Sequence, residues 1–253
     1  MQHFYVLNLH KRKKWLLLSF FILIIIGFFL IFTPTRIVSL FIQDQQAAVT
    51  KGSSSEKQVA LTFNISWGEE KVHDILTVLK EEDVRATFFL SGEWAERHPQ
   101  IVEKIVEDKH EIGSLGYRYK SYLEQNIDDI RKDMTKANTT FEKMDLDSIT
   151  YIRPPSGHFN KDIINLAKDL DLQTVHWSVN PDDWKNPGTE IITSHLKENI
   201  TNGDIVLLHA SDVAKQTEDA LRQVVPYLKE ENYHLATISE LLYHVQTEEK
   251  SVE

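Results

Sequence analysis

From residue 57 onward, seven short apolar runs alternate with amphipathic segments, and this alternation restricts the fold more than any other feature of the chain. The runs QVALTF (58–63), VRATFFL (84–90), EIGS (111–114), TYI (150–152), QTVHWS (173–178), DIVLLH (204–209) and HLATI (234–238) read as strands. Between them apolar residues recur at helical spacing, as in Val72, Ile75, Leu76 and Leu79, in Ile130, Met134, Ala137 and Phe141, and in Ala220, Val224 and Leu228. Strands that alternate with helices predict an α/β fold: a parallel sheet with its helices outside. Such sheets gather chemistry at the carboxyl ends of their strands. The polar residues in those places are Asn64, Tyr119, Arg153, Asp182, Asp183 and His209.

Residues 15–32 are a separate matter. The run WLLLSFFILIIIGFFLIF carries no charge, and as a helix it would span about 27 Å against a hydrocarbon core of about 30 Å. The cluster His10 to Lys14 precedes it, so the positive-inside rule leaves residues 1–14 in the cytoplasm and sends the rest of the chain outward. The expectation is a single-pass signal anchor in the cell membrane, with an extracytoplasmic C-terminal domain. A cleaved signal peptide and a buried core helix are the competing readings. No clear small-residue cleavage site follows before Pro34, although Ala47 and Ala48 keep cleavage open. Residues 33–56, ending in Lys51-Gly52-Ser53-Ser54-Ser55, have the composition of a linker. The folded domain is then expected over 57–253.

Charge narrows the partners. The chain has a formal net charge of −10, but residues 1–36 hold five basic residues and no acid, leaving 23 basic against 38 acidic residues beyond them. A domain that acidic repels phosphate backbones, which argues against nucleic acid as a partner. With no cysteine there is neither disulfide nor thiolate metal site.

Six ordered strings, TFNISWGEE, TFFLSGEWAERHP, HEIGSLGYRYK, RPPSG, HWSVNPDDWKNPG and GDIVLLHASDVAKQT, give the last 195 or so residues a specific likeness. They resemble the polysaccharide deacetylases of the NodB homology type, and within them the sporulation-associated PdaB-like branch. The resemblance implies a distorted (β/α) barrel of about seven parallel strands that hydrolyses the N-acetyl group of amino sugars in peptidoglycan or chitin-like chains. In that family a divalent metal such as zinc polarises the acetyl carbonyl, an aspartate takes a proton from water, and a histidine protonates the leaving amine. The implied partner is a cell-wall or spore-wall polysaccharide.

The chain departs from that pattern at the base and the metal. The resemblance puts the base at Asn64, a neutral amide, and the metal ligands at Ile65, Leu115 and Tyr119. Two of these have no donor atom, so no metal cofactor is expected. The remaining motif positions match. His209 corresponds to the acid, Asp183 to its support, Arg153 to the residue that orients the base, and Trp184, Leu207, Tyr119 and Pro155 to the sugar-contacting wall. Arg153, relieved of a charged base, is expected to reach an anionic group on the glycan, although an ion pair with Asp183 that ties loops together is the plainer alternative. Trp67, Trp94 and Trp177 are expected in the core by residue type, and Glu69 and Glu70 at a helix start. Three functions follow: a deacetylase of unusual mechanism with Tyr119 or Glu69 as base, a glycan-binding protein with a degenerate site, and a glycosidase built on Asp182, Asp183, Glu69 or Glu70.

Overall fold

The computed structural model of the protein describes residues 48–243, apart from 54, 147 and 148. The predicted membrane segment at 15–32 and the basic cluster before it lie outside the described residues. Among the described residues no helix is long and apolar enough to cross a membrane.

Seven strands form one sheet: β1 (Gln58–Ile65), β2 (Thr87–Leu90), β3 (Glu111–Ser114), β4 (Tyr151–Ile152), β5 (Gln173–Thr174), β6 (Asp204–His209) and β7 (His234–Ala236). Every pairing between them is parallel. The order is β5-β4-β3-β2-β1-β6, and β7 joins the first half of β1 at Gln58 to Ala60, beside the stretch that pairs with β2. Seven helices connect them: α1 (Lys71–Glu81), α2 (Gly92–Arg97), α3 (Pro99–Glu107), α4 (Ile127–Glu142), α5 (Lys161–Asp169), α6 (Thr189–Asn199) and α7 (Thr217–Glu230). The result is a curled parallel half-barrel in place of a closed ring.

Alternation along β1 separates two cores. Val59, Leu61, Phe63 and Ile65 face the helices and pack with residues such as Ile75, Leu79, Val224 and Leu228. Ala60 faces the concave side with Phe89, Leu115, Tyr151, Val175 and Ile205. Burying one large aliphatic side chain contributes roughly 1.5–3 kcal/mol, so a one-residue slip of β1 would cost many times the value of one contact by exchanging the two faces. Helix starts are fixed by side chains where the sequence offers them: Ser91 caps α2, Asn126 caps α4 and Asn160 caps α5.

The flank left between β5 and β6 is stitched by residues that composition had assigned to the linker. Val49 N–H donates to Thr174 O at 2.8 Å, His176 N–H donates to Val49 O at 2.7 Å, and Gly52 N–H donates to Gly203 O at 2.7 Å. Val179 bridges Val206 from the same side. The compact unit accordingly begins at Ala47. A Ser/Gly-rich run reads as flexible from its own composition, but these residues bond through their backbones, and composition does not report that.

Candidate active site

A cavity of about 500 Å³ opens at the carboxyl ends of β1 and β6, lined among others by Asn64, Trp67, Tyr119, Trp184, Leu207 and His209. Asn64 and His209 are direct neighbours across β1 and β6, which sets both side chains on the concave face. A larger depression of about 590 Å³ lies at the opposite ends of the strands, near Val84, His110 and Leu235. Its cations are mostly neutralised, Lys80 by Asp108 at 3.3 Å, Lys229 by Glu82 at 3.0 Å and Arg85 by Glu240. The chemistry-bearing residues are in the smaller cavity.

One wall of that cavity is a closed polar network. Asp183 is fully buried, and its Oδ1 accepts from His209 Nδ1 at 2.8 Å and from Trp184 N–H at 3.0 Å. Its Oδ2 accepts from His209 N–H at 2.8 Å and Thr217 Oγ1 at 2.7 Å. Because a carboxylate can only accept, Nδ1 carries a proton, and His209 presents Nε2 to the cavity. Asp182, next in the chain, is left-handed at φ 56° and pairs with Lys185 at 2.7 Å. The salt link to Lys185, ahead of burial, holds the Asp182 carboxyl below its ordinary range.

The facing wall is built differently. Arg153 is fully buried, with Nη1 donating to Asn64 Oδ1 at 2.9 Å and Nη2 to His176 O at 2.9 Å. Its Cζ sits 4.0 Å above the Phe89 ring and 5.6 Å from that of Trp177, and Nε has no hydrogen-bond partner. Among the described residues no carboxylate forms an ion pair with it. Burial pushes the guanidinium down to about 9, so it remains a cation at neutral pH. Two expectations for Arg153 are therefore corrected: it is sealed beneath the cavity and cannot touch a glycan anion, and Asp183 pairs with His209 instead of with it.

Ile65 and Leu115 lie off the cavity, fully buried in the outer and inner cores respectively, while Tyr119 is on its rim and 41% exposed. Pro155 is also buried; the next residue, Ser156, lines the cavity from a left-handed conformation at φ 59°. Nothing in this donor set fits a divalent metal: two aliphatic side chains and one phenol stand at the ligand positions, and among the described residues no three His, Cys, Asp or Glu side chains cluster to hold an ion. With an amide at the base position, the arrangement can donate a proton through His209, and the one carboxylate among the lining residues, Asp182, is held by Lys185 instead of standing at the base position.

Sequence reasoning missed two tryptophans. Trp67 is 65% exposed and lines the cavity, as does Trp177, whose ring stacks on His176 at 3.6 Å. Trp67 is thrust outward because its loop is pinned on both sides. Asp212 accepts from the N–H groups of Glu69, Glu70 and Lys71 at the start of α1, and Trp94 Nε1 donates to Gly68 O at 2.6 Å. Gly68 sits at φ 82°, and a Cβ there would meet the Asp212 carboxylate, so only glycine permits this closure. A useful signal was available in the sequence: Trp67 lies in the short loop directly after the Asn64 strand end, where site residues gather.

Solved structures give the class first. BA3943 from Bacillus anthracis, a CE4 family pseudoenzyme, is 32% identical with a TM-score of 0.73, covering 78% of this chain and 69% of that one. A mutant of BA3943 with restored enzymatic activity matches with the same TM-score. The half-barrel is thus that of the family 4 carbohydrate esterases. The polysaccharide deacetylase profile matches residues 51–175, and a peptidoglycan-N-acetylglucosamine deacetylase of Bacillus cereus is 34% identical over 75% of this chain and 90% of its own length. This chain belongs to the polysaccharide deacetylase family. It is also 31% identical to the Bacillus subtilis protein YlxY over 78% of its own length, spanning 61% of that protein.

Proposed function

We propose that this protein binds cell-wall glycan in a deacetylase-type groove whose amide-cleaving half has been lost. The observation that carries the reading is the groove's asymmetry: the His209–Asp183 network is complete, whereas the base position holds Asn64 and the ligand positions hold hydrocarbon or phenol. The exposed faces of Trp67, Trp184 and Tyr119 suit stacking against sugar rings. Similarity to a peptidoglycan-N-acetylglucosamine deacetylase supports N-acetyl amino-sugar chains as the ligand, and similarity to a pseudoenzyme supports the loss of turnover. The segment 15–32 serves as a single-pass membrane anchor that holds the domain outside the membrane, beside the wall. Spore-wall glycan is the narrower ligand suggested by the likeness to the sporulation-associated branch.

The retained acid favours one second reading, a slow metal-independent deacetylase. Glu69 does not line the cavity and stands 3.5 Å from His98 Nε2, which leaves Tyr119 as the base in that reading. Acetate release from peptidoglycan and chitooligosaccharides, with and without added divalent metal, separates the two. The expected result is no acetate above the no-protein control and no stoichiometric zinc, with saturable glycan binding by calorimetry. Turnover, or one tightly held ion per chain, would overturn the binding reading.

A further inference from the structure

Arg153 determines which way the Asn64 amide points. A guanidinium has N–H donors and no acceptor, so the amide oxygen must face it, and Oδ1 does so at 2.9 Å. The amino group, Nδ2, is thereby committed to the other arm of the side chain. Asn64 lines the cavity, and among the described residues no protein acceptor meets Nδ2. Where a carboxylate would offer lone pairs and a negative charge, this floor offers N–H.

Charge reinforces the donor. Arg153 lies one side chain beneath the floor, is fully buried, and has no counter-ion among the described residues. Asp182 lines the cavity but its charge is paired with Lys185, and Asp183 is buried behind the wall, engaged by His209 and Thr217, so neither stands beneath Asn64 as a counter-ion to Arg153. An acetamido group brings a carbonyl oxygen, which is an acceptor, to this floor. A deacetylated sugar brings an ammonium, which has three donors, one positive charge and no acceptor. Donor against donor, with an uncompensated buried cation behind, is unfavourable.

Building on the glycan-binding reading above, we propose that Asn64 makes the groove a reader of acetylation state: it retains N-acetylated amino-sugar chains through a hydrogen bond from Nδ2 to the acetyl carbonyl oxygen, and rejects their deacetylated counterparts. The position that would hold the base for removing the acetyl group instead recognises it.

The test is calorimetric titration of the full-length chain in a mild non-ionic detergent. The probes are an N-acetylglucosamine pentamer and the matching glucosamine pentamer, at about pH 6 so that the amines are protonated. The acetylated pentamer is expected to bind at least about tenfold more tightly, the worth of one good hydrogen bond to a partly buried group. Asn64→Asp removes the donor and supplies Arg153 with a counter-ion, so the ratio should fall toward one or invert. Asn64→Ala should lose about fivefold for the acetylated pentamer with no gain for the other. Equal binding of both pentamers by the unaltered protein, or an unchanged ratio in Asn64→Asp, overturns this inference and leaves glycan binding standing. Binding of neither pentamer overturns both readings. Because the first comparison uses the unaltered chain, a variant that fails to fold cannot shelter the proposal.

Discussion

The two walls of the groove bury charge in opposite ways. On the β6 side Asp183 is enclosed by four donors, and each of its oxygens accepts two hydrogen bonds. On the β1 side Arg153 is enclosed just as completely, yet it meets a neutral amide, one backbone carbonyl and an aromatic face, with Nε left unpaired. A buried ion that has lost its partner ordinarily costs several kcal/mol, so the β1 wall carries a cost that the β6 wall does not. The contrast separates a half of the site whose polar partners are complete from a half whose partners are not. Residues that hold the acid in place form a self-consistent unit, while at the positions for water activation Ile65 and Leu115 are core packing and Asn64 and Tyr119 face the cavity without a carboxylate or imidazole.

The comparison can be broken by adding charge to the packed side. Ile65→Asp, which sets a carboxylate among Phe63, Ile75 and Leu90 in the outer core, should destabilise the domain by roughly 3–5 kcal/mol in urea denaturation; a loss under about 1 kcal/mol would mean that the side chain reaches the cavity after all. Next in size is Asp183→Ala, which orphans four donors at once and should cost roughly 2–4 kcal/mol. A smaller change would mean that the β6 wall is less closed than its geometry implies.

A third outcome isolates both walls from the rest of the sheet. His110 lies buried at the opposite strand ends, where Nδ1 accepts from Ala86 N–H at 3.2 Å, and burial holds its imidazole down at about 4. The unfolded chain takes up that proton near pH 6.5 and the folded one only near 4, so the stabilisation is complete above about pH 6.5 and is lost as pH falls toward 4. Urea melts from pH 7 to 4 should show a fall of about 2–3 kcal/mol from this group, and His110→Gln should flatten the profile across that window. A slope unchanged by the substitution would trace the acid sensitivity to other groups.

The smallest effect on folding is expected at Trp67, and there the readout is affinity. Trp67→Ala should leave stability within about 0.5 kcal/mol while weakening the N-acetylglucosamine pentamer about tenfold. Unchanged affinity would remove Trp67 from the sugar-facing wall.

Much of the fold was legible because the strands are marked by side chains. The runs at 58–63, 111–114, 150–152 and 204–209 coincide closely with β1, β3, β4 and β6, since apolar residues there must be buried on both faces of a parallel sheet. The run at 173–178 was less faithful. Its backbone pairs with β4 only as far as Val175, and at His176 it turns to Val49, a partner more than a hundred residues away that no local pattern announces. Site residues divided along similar lines. Asn64, His209 and Trp184 could be placed by their position after strands, but whether Trp67 or Trp94 would be buried depended on which one the pinned loop around Gly68 turned outward. Arg153 was misjudged because its exposure is set by Phe89 and Trp177 closing over it, a packing outcome invisible in the arginine's own neighbourhood.

The seam at Val49 also has a consequence for how the chain avoids itself. A half-barrel has two open sheet margins, and unpaired amides along such margins are templates on which a second molecule can add a strand. Val49 shields the margin beside β5, and Lys51, bridged to Asp204, shields the one beside β6. Trimming the chain back to Lys57 would bare the margin beside β5 and the Asp204 end of β6, whose remaining length Ser178 and Val179 still cover, and the expected price is not a damaged groove but protein that self-associates and falls out of solution.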